Sequence, residues 1–439
     1  MMTAFALTHV TVVTGDSDGT VMPDHTVLVA GDGTIERVGP TDGVDVPPGY
    51  RVIGGAGKFV MPGLINAHAH LFSDGKPLPP ILLNDAAEKA VSVFMRSPVG
   101  GRWLKRRAKK AVLTQMQTGV TTIRSLGDPG YEVVKVALEI DRGAYTGPRV
   151  IASGPLLAVS GGHGAPQIAL ISDNPWDARR NVRVNLRHGV TAIKIAATGG
   201  VTDAKVIGEA GRPQMTEEEM TAICEEAHNA GILVAAHAQS PQGIVAALRA
   251  GVDTIEHGAS MTDEIIDLFT SNPRALHGSS ALVPTFMAAL PIVTLPLKAT
   301  GVTEINRANA VMVLDEMRRG VADALDNDIA LGMGTDSSLT FVTHYNTWRE
   351  IDFVMRHGNV PAARALHAAT QSNAKILGVD GVTGTVEAGK SADLIVTDAN
   401  PLDDISTLAQ PHAVAVGGSL LESPSVERFP EIDELLDTI

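Results

Sequence analysis

Two histidines one residue apart, His68 and His70 in the run Met61-Pro62-Gly63-Leu64-Ile65-Asn66-Ala67-His68-Ala69-His70-Leu71, are the residues in this chain best suited to chemistry. Side chains on a strand alternate between faces, so positions i and i+2 point the same way about 7 Å apart. Two imidazoles so placed can converge on one metal ion. Ala67 and Ala69 face the other way and are small, as expected where helices pack closely on the outside of a parallel sheet. The apolar lead-in from Val60 to Ile65 predicts a buried strand that delivers both histidines to its carboxyl end.

Further ligand-type residues close other apolar runs. Lys194 lies inside Thr191-Ala192-Ile193-Lys194-Ile195-Ala196, His237 ends Leu233-Val234-Ala235-Ala236-His237, His257 ends Thr254-Ile255-Glu256-His257, and Asp336 follows Ala330-Leu331-Gly332-Met333-Gly334-Thr335. A lysine at an inward strand position loses charge on burial, and a neutral amine can take up carbon dioxide to form a carbamate. Carboxylated Lys194 would then be an anionic bridge between two metals. A salt-bridged or snorkelling lysine is the competing reading.

The elements that must position these residues alternate short β-rich runs with longer helical patterns, the grammar of βαβ units. Strands are predicted at Val60–His70, Val120–Ser125, Arg149–Ser153, Thr191–Ala196, Leu233–His237, Thr254–His257, Ala281–Pro284 and Ala330–Thr335. Eight such strands predict an α/β fold, a (β/α)8 TIM-like barrel over residues 61–377. Residues 1–60 and 378–439 alternate strands with Gly-rich turns and are expected to meet in one small β-sandwich domain. Pro424–Ile439 reads as a short acidic helix.

Composition sets the class. A chain of 439 residues, 44% hydrophobic, can bury one large domain and a smaller one. The amino terminus lacks the charge and cleavage pattern of a secretory signal, and no apolar run is long enough for a bilayer, so a cytoplasmic location is expected. The net charge of −14 argues against nucleic acid or an anionic membrane as partner. The single Cys224 excludes an internal disulfide and is expected to be a small buried hydrophobe. The basic group Arg102, Lys105, Arg106, Arg107, Lys109 and Lys110 has the spacing of a solvated helix face.

Taken together and in this order, the H-x-H, Lys194, His237, His257, Asp336 and the closing Gly384-Thr385-Val386-Glu387-Ala388-Gly389-Lys390-Ser391-Ala392-Asp393-Leu394-Ile395-Val396 resemble the metal-dependent amidohydrolase superfamily, in the branch of imidazolonepropionase-like proteins and Xaa-Pro dipeptidases. The resemblance spans nearly the whole chain. It implies that His68, His70 and Asp336 hold one divalent ion, His237 and His257 a second, with carboxylated Lys194 across both; zinc is the expected metal. Asp336 and His257 are the residues expected to carry catalysis, Asp336 as proton shuttle between water and the leaving nitrogen.

Substrate contacts are read from position. His163, in the Gly-rich Ser160-Gly161-Gly162-His163-Gly164, follows the third strand, where a barrel places substrate-contacting loops. A surface loop histidine is the equal alternative. Gln239 and Tyr345 share the functional face. Relatives that cleave dipeptides usually carry a tyrosine and an arginine where this chain has Gln239 and Gln242, which puts a free α-carboxylate substrate in doubt. Arg124 could supply a cation or sit in a structural ion pair. The function expected is hydrolysis of a C–N amide-type bond, in a dipeptide, N-acyl amino acid or small xenobiotic amide, by a homo-oligomer acting on small molecules. A mononuclear cyclic-amide hydrolase or deaminase is the alternative, and a catalytically inactive scaffold the third reading.

Overall fold

The computed structural model describes residues 3–77, 85–165 and 167–439. Met1 and Met2, the start of the expected N-terminal portion, lie outside the described residues. Five strands come first: β1 (Phe5–Val13), β2 (Val21–Val29), β3 (Ile35–Pro40), β4 (Arg51–Gly54) and β5 (Phe59–Pro62). Nine more lie between helices: β6 (Leu64–Ala69), β7 (Val120–Ser125), β8 (Arg149–Ala152), β9 (Leu156–Ala158), β10 (Ala169–Ile171), β11 (Ile193–Ala196), β12 (Val234–Ala238), β13 (Thr254–His257) and β14 (Ala281–Val283). The last three are β15 (Leu394–Thr397), β16 (Ala413–Val416) and β17 (Ser419–Glu422).

Both chain ends share one mixed sheet of eight strands, in the order β17-β16-β15-β5-β1-β2-β3 with β4 also on β1. β1 branches: Phe5–Thr8 pairs with β4, and Thr11–Val12 with β5. β15 returns from the far end of the sequence to lie antiparallel to β5, Leu394 opposite Pro62. The sheet packs Phe5, Leu7, Val10, Val12, Val27, Val29, Leu394 and Val396 into one apolar cluster.

The run predicted as one strand from Val60 to His70 is two strands in different sheets. At Gly63 the chain changes partners: the Gly63 N–H donates to Asp393 O, and the next N–H, Leu64, donates to Gly119 O. A side chain at 63 would drive its Cβ to 2.2 Å from Thr121 Oγ1, so this crossing needs glycine. His70 falls one residue past β6.

The remaining strands are parallel, in a set β6-β7-β8 and a set β10-β9-β11-β12-β13-β14. Their register brings the tips level: Ala196 pairs with His237, and Ala238 with His257. Between the two sets, the Thr191 N–H donates to Ala152 O at 2.9 Å, linking β8 to the approach of β11. The predicted strand Ala330–Thr335 is not a regular strand; it makes one bridge, Leu331 to Leu282, and Ser337 makes another, to Ala69. The segment nevertheless bonds on both sides, with Leu282 N–H donating to Ala330 O, Ala67 N–H to Met333 O, and both Thr335 and Asp336 N–H to His68 O. The doubled contact on His68 O breaks the alternation of a ladder, which is why the pattern is strand-like without being a strand. Gly334 permits the approach, since its Cβ would lie 2.4 Å from His68 Cβ.

Helices cover the strands, and side-chain N-caps start several of them. Thr216 and Glu219 form a reciprocal capping box on Glu217–His228, Ser240 caps Pro241–Ala250, and Thr262 caps Asp263–Thr270. Cys224 is buried in the first of these, and burial pushes its thiol up well above the ordinary range. The basic cluster lies on the helix Pro98–Gln117, partly paired: Arg107 with Asp74 at 3.3 Å and Lys110 with Glu427 at 2.8 Å. The acidic tail forms the helix Pro430–Leu436. Among the described residues, no helix is long and apolar enough to cross a membrane.

Candidate metal centre

The strand tips gather the predicted ligands. Both histidines of the H-x-H approach one carboxylate oxygen, Asp336 Oδ1, at 3.3 Å from His68 Nε2 and 3.0 Å from His70 Nε2. Ligand atoms of His68, His257 and Asp336 lie within 4.8 Å of one another, a group able to hold a metal ion. The imidazole of His257 is 5.2 Å from that of His68 and 4.5 Å from that of His237, between ring centres. His257 and Asp336 both have left-handed backbones, with φ of 71° and 57°. Such outliers in non-glycine residues cost about 1–3 kcal/mol each and cluster at functional sites, here aiming two side chains inward from the ends of their segments.

Outer partners set the imidazoles. His70 Nδ1 donates to Gly127 O at 2.8 Å, which leaves Nε2 with its lone pair; His237 Nε2 donates to Gly199 O at 3.2 Å, which leaves Nδ1. His257 Nδ1 meets Thr285 Oγ1 at 2.7 Å. Thr285 is itself held, because the next two N–H groups, Phe286 and Met287, each donate to an oxygen of buried Glu350 at 2.7 Å.

The electrostatics suit cation binding. Burial pushes the imidazole of His257 down to about 4 and those of His68 and His237 well below their ordinary value, so all three are neutral at physiological pH, the form that ligates. His70 is raised instead, because the Asp336 carboxylate beside it outweighs burial. Asp336 is held well below the usual carboxylate range: burial pushes it up, but His68, His70 and His257 together outweigh that. Burial brings the Lys194 amine down to about 8, against the pull of Glu256 and Asp336.

Two atoms carry most of the chemical meaning. Lys194 Nζ and Asp336 Oδ1 are buried without a hydrogen-bond partner. An orphaned buried polar group costs about 1–3 kcal/mol; a cation would relieve the Asp336 oxygen, and a carbamate on Lys194 that shares the cation would relieve the amine. The residues present therefore fit a metal centre.

Glu256 is the group that strand-end reasoning missed. Completely buried, its Oε1 accepts from Arg124 Nη2 at 2.8 Å and from Thr254 Oγ1 at 2.6 Å, while Oε2 lies 2.9 Å from His68 Nδ1 without hydrogen-bond alignment. A glutamate one residue before His257, inside an apolar strand, was its only sequence signal. Arg124 accordingly takes the ion-pair alternative: its guanidinium also donates to Ala67 O and Thr254 Oγ1, beneath the strand tips.

The three expected substrate contacts divide. His163 stacks on His237 at 4.1 Å between ring centres, with the planes 25° apart. Gln239 follows His237 by two residues; its N–H donates to Thr198 Oγ1, and its side-chain Oε1 is buried without a partner. Tyr345 has its hydroxyl engaged: it accepts from Phe429 N–H at 2.9 Å, and with Phe429 it lines a cavity beside Arg107, Lys110 and His344. Its place after Asp336 suggests the functional face, and the chain between Ser337 and Asn346 folds toward Ser73 and the C-terminal segment.

The family model of the amidohydrolase family matches residues 59–421. Ochratoxinase of Aspergillus niger is 27% identical over 401 residues, covering 85% of this chain and 77% of that protein. A candidate prolidase from Bifidobacterium longum has a crystal structure similar at a TM-score of 0.89 and 47% identity, over 100% of this chain and 99% of that one. A Xaa-Pro dipeptidase with methionine bound in its active site reaches 0.81 at 27% identity, over 95% and 100%. The chain belongs to the amidohydrolase family, a metal-dependent family, and is a hydrolase acting on carbon–nitrogen bonds.

Proposed function

We propose that this hydrolase cleaves amide bonds of dipeptides, N-acyl amino acids or small xenobiotic amides with two divalent ions, zinc by preference, held by His68, His70, His237, His257, Asp336 and carboxylated Lys194. The observation that carries the reading is Lys194: an amine that burial brings down to about 8, left without a hydrogen-bond partner beside the imidazoles of His68, His237 and His257 and the Asp336 carboxylate. The relatives named for prolidase, Xaa-Pro dipeptidase and ochratoxinase activities support the substrate class.

The ions, when bound, would lower the pKa of a water towards about 7 and polarise the scissile carbonyl. The chain's residues do the rest. His70 and His237, their outer nitrogens committed to backbone carbonyls, present fixed lone pairs. Asp336 takes the proton released by the attacking water and hands it to the leaving nitrogen, its Oδ1 being free of any hydrogen bond. His257, fixed through Thr285 and Glu350, keeps its Nε2 on the centre. Gln239 Oε1 offers a neutral acceptor in place of a carboxylate-gripping group.

The architecture belongs to the same proposal: a (β/α)8 barrel over 61–377, with the segment 330–337 closing the ring between β14 and β6, and a sandwich from 1–60 with 378–439. The hydrogen bonds on both sides of that segment support closure. The same proposal includes a cytoplasmic location and a homo-oligomer acting on small molecules; that neither nucleic acid nor an anionic membrane is a partner is supported by a charge of −14.

A mononuclear centre, suited to a cyclic amide or deamination, has its own support in the tight trio of His68, His257 and Asp336. Metal content and turnover decide between them. Protein loaded with zinc should approach two ions per chain and hydrolyse members of a panel of dipeptides, N-acyl amino acids and aryl amides, with chelation abolishing turnover. Full activity at one ion per chain would establish the mononuclear reading.

A further inference from the structure

His163 is held on a second side by a loop that no motif marked. Its Nδ1 makes a short contact with Asp203 Oδ2, and the same carboxylate oxygen accepts the Gly164 N–H at 3.2 Å. The His163 N–H donates to Gln214 Oε1 at 2.9 Å, so both ends of the 199–214 loop grip one residue. That loop is anchored from outside by the helix Glu304–Asp326: Asn306 Nδ2 donates to Val201 O at 2.8 Å, and Asn309 joins Val206, Gly208 and Ala210. The fit around the ring is close. A Cβ at Gly200 would lie 2.4 Å from His163 Nδ1 and Cε1.

We propose that Asp203 is the positioning residue for His163, holding its imidazole as the Nδ1–H tautomer flat against His237 so that Nε2 faces the substrate. A carboxylate can only accept from a neutral imidazole's N–H, which fixes the tautomer and leaves Nε2 with its lone pair. The stack on His237 restricts the ring to one plane beside the proposed metal ligand. This deepens the amide-hydrolase reading and rests on it for the role of Nε2. Asp203 itself acts through His163 and is 47% exposed.

The test has two arms on metal-loaded enzyme. In the first, histidine labelled with ¹⁵N reports the tautomer, the His163 signals being those lost in His163→Ala. Wild type should show a protonated Nδ1 and an unprotonated Nε2, and Asp203→Ala should convert this to a mixture of tautomers. In the second, Asp203→Ala should lower kcat by about 10–100-fold, the range for an outer partner that orients an imidazole. KM, metal content and melting temperature should hold, Asp203→Glu should recover part of the rate, and the double variant with His163→Ala should be no slower than His163→Ala alone. An unchanged tautomer in Asp203→Ala, or losses that multiply in the double variant, would overturn the assignment. Wild type inactive on every amide would sink the hydrolase reading separately, and the tautomer arm would still decide whether Asp203 orients His163.

Discussion

The strand-tip cluster and the sheet built from the chain ends are opposites in how they treat buried atoms. In the sheet, the interior is Val, Leu, Ile, Phe and Ala. At the tips, Lys194 Nζ, Asp336 Oδ1, Gln239 Oε1 and Glu256 Oε2 are buried with no hydrogen-bond partner. Each such feature costs on the order of 1–3 kcal/mol. The difference teaches where stability and reactivity reside: the apolar regions supply the surplus that lets the tips keep groups in states only a ligand would satisfy.

Substitutions at four positions can break or sharpen that contrast. The largest effect belongs to Lys194→Met, which should lose bound metal and bring turnover to background while stabilising the metal-free protein by about 1–3 kcal/mol, since an orphaned amine gives way to an apolar chain of similar length. Denaturant melts of both proteins after chelation read the second half; a less stable apo variant would mean that Lys194 is not an orphan. Lys194→Ala should recover some rate when short carboxylic acids occupy the vacated bridge.

Leu394→Ala tests the other region. Leu394 is fully buried in β15, and its truncation should cost about 2–5 kcal/mol while kcat per folded molecule stays the same. A fall in kcat at full folding would mean the end sheet is coupled to the site.

Glu256→Gln keeps an oxygen and a size match for Arg124 but removes the charge facing His68 Nδ1. Metal affinity should fall about 10–100-fold, measured by competition with a chelator dye. Unchanged affinity would reduce Glu256 to a partner for buried Arg124.

The smallest effect is on pH dependence. Burial pushes the Glu350 carboxyl from 4.5 up to about 8, against the Met287 and Phe286 N–H groups that pull it down. A carboxyl with a raised folded pKa binds its proton more tightly when folded. Its stabilising contribution is therefore complete below 4.5 and is lost as pH rises through about 8. Glu350→Gln should flatten the decline of stability between those values, seen in melts across the range; an identical decline would show that Glu350 is ionised throughout on its two amide donors.

The metal-ligand types were legible because each closes an apolar run, and apolar runs of strand length are what a buried parallel sheet requires. His68 and His70 follow from alternation alone, and the structure brings both to the same oxygen of Asp336. Glu256 was hidden because a carboxylate inside an apolar strand has no periodicity of its own, and its partner Arg124 is 132 residues away. Tyr345 shows the opposite limit: nearness to Asp336 in sequence does not reveal that the chain turns back and that Phe429 N–H donates to its hydroxyl.

By itself, the sequence determined which residue types end the strands, the alternation that aims them, and the glycines where backbones must nearly touch. Tertiary structure alone decided the change of partner at Gly63, the irregular course of 330–337 and the protonation of the cluster. The reason is physical: side-chain direction along one strand is a local property of the backbone, whereas desolvation of Lys194, the neutrality of His257 and the grip of Asp203 on His163 depend on what residues far along the chain bring within a few ångströms.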